Sequence, residues 1–324
     1  MAEQTATAVS RRVLADSVRR ATKAPSLHNS QPWLFRIGDR TVDVHADRRR
    51  QLDVLDPASR ELLISVGAAV FTLRLALRAA GWRPVALLFP EPSEPDLVAR
   101  VTVPGRLAPT PVVEALSSAV EHRHTNRWPF ARSVVPADDL AHLAEAARRE
   151  GATLTVASAV SRNAILGLAG AADRRLRAQG GYRAELAHWT VPARHRHDGI
   201  PPAAIGPWDA LETMPIRDFG LLQPQQDRAA VPFEPHPTIT VLSTGGDHRE
   251  QWVAAGQALQ RVLLTATWLN LATTPISQPV EIPGLRVLLT DTATDRWAQM
   301  VLRLGYGRPA AATPRRPLSE VLLS

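Results

Sequence analysis

Apolar residues return at helical spacing between residues 9 and 23, with Val13, Leu14 and Val18 on one side, so a helix is expected there. Residues 34–37 and 42–46 alternate apolar and polar positions as strands do, and Gly38-Asp39-Arg40 between them reads as a hairpin turn. Pro57-Ala58-Ser59 opens a long helix that runs to about residue 80, where Gly81 stops it. Residues 85–89 and 97–103 read as two further strands across a proline-rich turn. A second series follows, with helices at 112–122 and 137–150, a strand at 153–157, another at 238–242, a long helix at 250–271 and a last strand at 300–304. From 189 to 237 prolines and glycines interrupt every periodicity. Mixed helices and antiparallel-type strands in both series indicate an α+β fold.

The two long helices share more than length. Shifted by 189 residues, Arg60-Glu61 falls on Arg249-Glu250, Gly67 on Gly256, Leu73 on Val262 and Leu75 on Leu264. Glycine inside a helix costs about 1 kcal/mol relative to alanine, so glycines in register point to two backbones that cross closely. Arg19-Arg20 matches Arg148-Arg149 at an offset of only 129 residues. The chain therefore reads as two tandem halves, 1–109 and 110–324, forming an intrachain pseudo-dimer. The difference between the offsets leaves about 60 extra residues between 150 and 249. Their natural place is the proline-rich stretch at about 180–237, which holds Trp189, Trp208, Phe219 and Phe233. Loops beyond ~15 residues are usually functional or disordered, and this one is too aromatic for a linker, so it reads as a lid.

Three short polar segments carry candidate chemistry. APSLHNSQPW, residues 24–33, sets five polar side chains between Pro25 and Pro32 just ahead of a strand. Taken alone, Ser26 and Asn29 are turn and cap residues, and Gln31 satisfies backbone groups below the loop. Arg123-His124-Thr125-Asn126-Arg127 places two guanidiniums four residues apart. Alone they would pair with Glu121 or Asp138 on the surface. Arg315-Arg316 alone would be part of a solvated tail.

Composition removes several function classes. The absence of cysteine excludes disulfides, thiolate metal sites and cysteine nucleophiles. The net charge of +7 is spread singly and in pairs among acids, and Lys23 is the only lysine. With no basic stripe interleaved with aromatics, nucleic acid is not an expected partner. The first twenty residues lack the apolar core of a signal peptide, and the best apolar window, 64–77, is broken by Arg74. It falls short of the ~18 apolar residues a membrane span needs, so no membrane is expected and the expected address is the cytoplasm.

Together the segments resemble the FMN-dependent nitroreductase family. SLHNSQPW followed by a strand is similar to that family's flavin loop, and Arg123 to Arg127 to its phosphate motif, with Thr125 in place of the usual serine. Residues 252–277 resemble its central helix and flavin-stacking loop, and Arg315-Arg316-Pro317-Leu318 its C-terminal arginine motif. The fused layout and Asp198-Gly199-Ile200-Pro201 look most like the actinobacterial Acg-like branch.

The resemblance implies a nitroreductase-like fold and one FMN per chain. It implies that Arg123, Arg127 and an arginine of the Arg315-Arg316 pair clamp the phosphate, with Thr125 adding a hydroxyl. His124 would reach ribityl or pyrimidine oxygens, and Pro25, Ser26, Leu27 and Asn29 would contact the ribityl and phosphate. Pro275-Ile276-Ser277 would lie along the ring, with the Ser277 N–H aimed at the hydride-accepting N5. Each half keeps only one share of these motifs, so a single composite site is expected. NAD(P)H and a small nitro- or quinone-type aromatic acceptor are the implied partners, and the implied assembly is a monomer or weak homodimer. Gln278-Pro279 stands where the family carries smaller residues. That departure and the lid leave two alternatives open: a non-catalytic protein that stores FMN, and a partner-binding protein with a decayed site.

Overall fold

The computed structural model describes residues 8–190, 196–221, 228–291 and 293–323. Helix α1 (Arg11–Ala21) starts where the Ser10 hydroxyl accepts the Val13 amide, a side-chain cap for an otherwise unpaired donor. Strands β1 (Trp33–Ile37) and β2 (Thr41–Ala46) form a hairpin closed by the Gly38 amide on the Thr41 carbonyl. Helix α2 (Arg60–Ala79) follows, then β3 (Trp82–Leu88) and β4 (Leu97–Arg106). The four strands pair antiparallel in the order β1-β2-β4-β3.

Helix α3 (Pro111–His122), capped by Thr110, leads into the second half. There come α4 (Ala137–Arg148), β5 (Ala152–Val156), α5 (Ala159–Ala178), α6 (Tyr182–Trp189) and a two-residue parallel pair, β6 (Trp208–Asp209) with β7 (Ala230–Val231). Then follow β8 (Thr238–Gly245), α7 (Arg249–Trp268), β9 (Ala272–Pro275), α8 (Gln278–Glu281), α9 (Pro283–Arg286), β10 (Arg296–Gly305) and α10 (Leu318–Val321). The second sheet runs β5-β8-β10-β9, also antiparallel. Strand for strand this is the order of the first sheet, with α2 and α7 in the same place between the second and third strands of each.

Helices α2 and α7 pack against each other at the centre, and the glycines explain how closely. A Cβ added at Gly256 would stand 2.9 Å from the Gly67 Cα, and one at Gly67 3.1 Å from the Gly256 Cα. No other residue fits two backbones at that distance. Arg74, which interrupts the apolar face of α2, pairs with Glu150 at 2.8 Å and Gln257 at 2.6 Å. Among the described residues α2 is the one helix long and apolar enough to cross a membrane, and it is buried in the core.

One core gathers around Trp33, Phe35, Leu63 and Leu77, and another around Leu143, Leu242 and Val262. A third cluster changes the picture drawn from sequence. Tyr182, Leu186, Trp189, Ile200 and Phe219 pack with Leu52 and Leu55 of the first half. The insert between β5 and β8 is therefore a built unit with two helices, α5 and α6, where no element was expected. The buried stripe of α5 is Ile165, Ala169, Ala172 and Leu176. The spacing is helical, but two alanines make the signal faint beside the surrounding arginines and glycines. Strand β9 was missed for a different reason: Thr273 and Thr274 are buried by tertiary contact and look polar in sequence.

Candidate functional site

The segment after α1 folds into one tight, braced loop. Ser26 accepts the Asn29 amide on its carbonyl (3.1 Å) and the Gln31 amide on its hydroxyl (2.9 Å). The Leu27 amide donates to Ser65 of α2 at 3.2 Å. His28, Asn29 and Gln31 all have φ between +50° and +56°. Such left-handed non-glycine residues cost of order 1–3 kcal/mol each and persist where surroundings over-determine them. Here the surroundings come from distant chain. Asn29 donates through Nδ2 to the carbonyls of Gly199 (2.9 Å) and Pro314 (3.1 Å), and its Oδ1 accepts from Arg315 (3.0 Å). Gln31 donates to the His197 carbonyl (2.7 Å) and accepts the Arg316 amide (2.8 Å). The two amides therefore clasp the insert and the C-terminal arm onto the loop.

The clasp delivers Arg315 to Arg123. Both guanidiniums reach the Lys23 carbonyl, at 3.4 Å and 3.5 Å, and the Nε of each is sealed from solvent without a hydrogen-bond partner. Neither forms an ion pair among the described residues. Glu121, the one carboxylate that bears on Arg315, is itself paired with Lys23 at 3.3 Å. Burial brings Arg123 down to about 10, and burial followed by the charge of Arg123 brings Arg315 down to about 9. Two crowded cations without a counter-ion are a costly arrangement, and an anion resolves it. Arg316 is different in kind. It is buried, donates to the carbonyls of Gln31 and Glu320, and lies 3.8 Å from Asp47. Its role is to hold the C-terminal arm.

A cleft is lined by Pro25, Ser26, Leu27, Thr125, Arg127, Pro275 and Ser277, with Ile64, Leu259 and Leu263 of the crossed helices as its floor; Arg123 and Arg315 do not line it, and the cluster is linked to it along the chain through Lys23 to Pro25 and Arg123 to Thr125. The first-half loop, the arginine segment and the turn after β9 thus meet in one place. Ile276, between Pro275 and Ser277, points into the core and donates its amide to Val301 at 2.9 Å. The Ser277 amide takes part in no backbone hydrogen bond among the described residues. Gln278 is turned away from the cleft, its amide donating to the Pro215 carbonyl at 3.0 Å.

Two expected residues are set apart from the Arg123–Arg315 pair, Arg127 within the cleft itself. Arg127 is apart from the Arg123–Arg315 cluster: its guanidinium lies 4.7 Å from the centre of the Phe219 ring and donates to the Ala204 carbonyl at 2.9 Å. The chain turns extended after Arg123, so the helical four-residue spacing that would have kept the two arginines together does not apply. His124 faces a neighbouring groove with His122, Asn126, Asn270 and Arg308. Burial, then Arg123 and Arg315, bring its imidazole down to about 4.

Three cleft residues were not singled out in sequence. His28 is buried, with both ring nitrogens unpartnered among the described residues and its ring centre 4.9 Å from that of Phe219 in an edge-to-face arrangement. Burial, Arg217 and Arg127 hold it well below the usual imidazole range, so it is neutral. Glu61 sits in the first turn of α2, bonded to Arg60. Arg217 comes from the insert, pairs with Glu281 and donates to the Tyr182 hydroxyl at 3.0 Å. Within the quoted loop His28 was visible as a residue, but nothing local said that it would lose every partner.

The chain is 33% identical to the "Putative NAD(P)H nitroreductase Rv3131" of Mycobacterium tuberculosis, over 93% of this chain and 88% of the relative. It is 30% identical to the "Putative NAD(P)H nitroreductase acg" of the same organism, over 97% and 96%. Among solved structures it is similar to a nitroreductase from Anabaena variabilis (13% identity, 91% of this chain and 73% of that one, TM-score 0.43). It is also similar to the FMN-dependent nitroreductase NfnB of Mycobacterium smegmatis in complex with NADPH (16%, 64% and 97%, 0.38). No protein-family profile matches. The chain belongs to the NAD(P)H nitroreductase family.

Proposed function

We propose that the cleft holds one FMN per chain and that the protein is an NAD(P)H-dependent flavin oxidoreductase acting on nitro- or quinone-type acceptors. The observation that carries this reading is the Arg123–Arg315 pair, two buried guanidiniums that form no ion pair among the described residues, Arg123 standing close in the chain to the cleft-lining Thr125. A phosphomonoester supplies the missing charge and several acceptor oxygens. Thr125 would add a hydroxyl beside it. Arg127, set apart from the phosphate end, would face the pyrimidine edge, where a cation favours the reduced, negatively charged ring. Pro275 and Ser277 would border the ring, with the Ser277 N–H as donor. When bound, the flavin supplies two-electron hydride chemistry; the chain binds, orients and excludes water. The matching sheet orders support the reading of halves 1–109 and 110–324 as a pseudo-dimer with one composite site, and the insert as its lid.

Titration with FMN and with riboflavin tests the phosphate assignment. The wild-type protein is expected to prefer FMN strongly, and Arg315→Ala to remove most of that preference. Equal binding of the two flavins by the wild-type protein would sink the assignment. A storage role is the second reading. It is favoured by the anchoring of the insert over the cleft, through Arg50–Asp198, Asn29–Gly199 and Arg217–Glu281. Anaerobic mixing with NADPH separates the two: bleaching within seconds supports the oxidoreductase, and persistence of the visible band alongside full reduction by dithionite supports storage.

A further inference from the structure

We propose that Glu61 is the proton donor of the cleft, a buried acid that passes its proton to the oxygen of a quinone-type acceptor bound against it. The inference rests on the flavin reading above, which supplies a hydride and assigns no acid.

Glu61 is 3% exposed and lines the cleft with Ser26, His28 and Ser277. Around it lie Asp56, from the turn before α2, and Glu281, whose carboxylate is sealed at the end of α8. The cations bonded within this group are Arg60, to Glu61, and Arg217, to Glu281; Arg127 lines the same cleft beside Arg217, and Arg286 also bears on Glu61. Arg60 spends its other nitrogens on Gln299 and the Val280 carbonyl, and Arg286, further out, is held by Asp247. Tyr182 shares Arg217, and His28 is neutral. Three carboxylates therefore crowd one buried setting in which two guanidiniums are directly bonded to them, and the Glu281 Oε1 has no partner among the described residues. Such a cluster keeps one proton, because a third negative charge there would be both desolvated and repelled.

The proton belongs on Glu61. Burial pushes its carboxyl up to about 7; Arg60 opposes the shift, and Glu281 and Asp56 reinforce it. Asp56 is pushed up less, to about 6, because burial is offset by backbone amides, that of Leu62 at 2.8 Å among them. Asp56 is also not a cleft-lining residue. His28 can offer an N–H as a hydrogen bond, but a neutral imidazole does not release that proton to a carbonyl.

The step balances. Reduction of a quinone carbonyl takes a hydride equivalent and a proton. Both electrons arrive with the hydride from the bound flavin, itself reduced by NAD(P)H. The Glu61 O–H bond breaks as an O–H bond forms on the acceptor, and the carboxylate left behind faces Arg60. Solvent restores the proton once the product leaves.

The test uses the FMN-loaded protein, with FMN affinity measured first and 1,4-benzoquinone as the acceptor probe. Reoxidation of the reduced flavin is followed by stopped flow against pH. The wild-type rate is expected to fall above pH about 7, where Glu61 ionises. Glu61→Gln should abolish that limb and lower the rate by roughly 10²- to 10⁴-fold, with little change in FMN affinity. Glu281→Gln should move the limb to lower pH, since it removes a carboxylate that raises Glu61. Infrared difference spectra of the flavin-free protein give an independent readout. A protonated-carboxyl band should disappear with a midpoint near 7 in the wild-type protein and be missing from Glu61→Gln. Normal FMN uptake with identical pH profiles in wild type and Glu61→Gln overturns this inference alone. A wild-type protein that takes up no FMN overturns the flavin reading, and this inference with it.

Discussion

Replacing Arg123 with methionine should make the ligand-free protein more stable and its flavin binding weaker. The side chain is 4% exposed, and its one hydrogen bond, to the Lys23 carbonyl, is long at 3.5 Å. Burial alone brings the guanidinium down to about 10 from 12.5, so the folded state disfavours that charge by roughly 3 kcal/mol. Methionine keeps the aliphatic stem and removes the charge. What is lost is a weak hydrogen bond, about 0.5–1.5 kcal/mol at most. The net gain should be about 1.5–2.5 kcal/mol, read as a higher urea midpoint by tryptophan fluorescence without FMN. FMN affinity should move the other way. A charge-assisted hydrogen bond is worth about 1.5–3 kcal/mol, which is roughly 10- to 150-fold in affinity. A structural arginine would behave oppositely, costing stability and leaving affinity alone. A lower urea midpoint in Arg123→Met, or unchanged FMN affinity, would refute the reasoning.

Arg316→Met is the matched contrast: loss of its bonds to Gln31 and Glu320 should lower the urea midpoint, while the preference for FMN over riboflavin stays as in the wild type. Gly256→Ala should destabilise the protein by about 1–3 kcal/mol, because its Cβ meets the backbone of α2 and forces the helices apart; calorimetry checks this, and an unchanged melting temperature would contradict the close crossing. Glu234→Gln should cost about 3–5 kcal/mol, since it leaves the buried Arg303, now held at 2.6 Å through two nitrogens, without its counter-charge. Glu61 and Asp56 bind their protons more tightly folded than unfolded, so their contribution to stability is full below the ordinary carboxylate range and lost as pH rises through about 6 to 7. His28 and His124 act in the opposite direction, so the difference between wild type and Glu61→Gln is the quantity to measure: the variant should gain on the wild type as pH rises across that window.

Much of the architecture was legible because it follows from local rules. Alternation marked β1, β2, β4 and β8, caps and glycines marked the ends of α1 and α2, and two glycines in register marked the central crossing. Where the reading fell short, the information was not local. The helices of the insert bury a narrow alanine stripe, and β9 buries threonines against neighbouring strands. In the site, the order of motifs named three segments that line one cleft. It did not show that Arg127 would part from Arg123, because the chain turns extended after Arg123. It passed over Glu61 because a glutamate in the first turn of a helix ordinarily has a lowered pKa; here burial and two further carboxylates reverse the sign.

By itself, then, the sequence determined the elements with strong local patterns, the close crossing of the two long helices and the family to which the chain belongs. Only the tertiary structure decided which cations lack counter-ions. Arg315 and Arg316 are adjacent, yet Arg315 joins Arg123 with no ion pair among the described residues, while Arg316 lies within reach of Asp47 and Glu320. The physical reason is range. A helix or strand is specified by neighbours a few residues away, whereas desolvation and charge are set by groups that the fold brings from 100 to almost 300 residues away, as Lys23 does for Arg123 and Arg315.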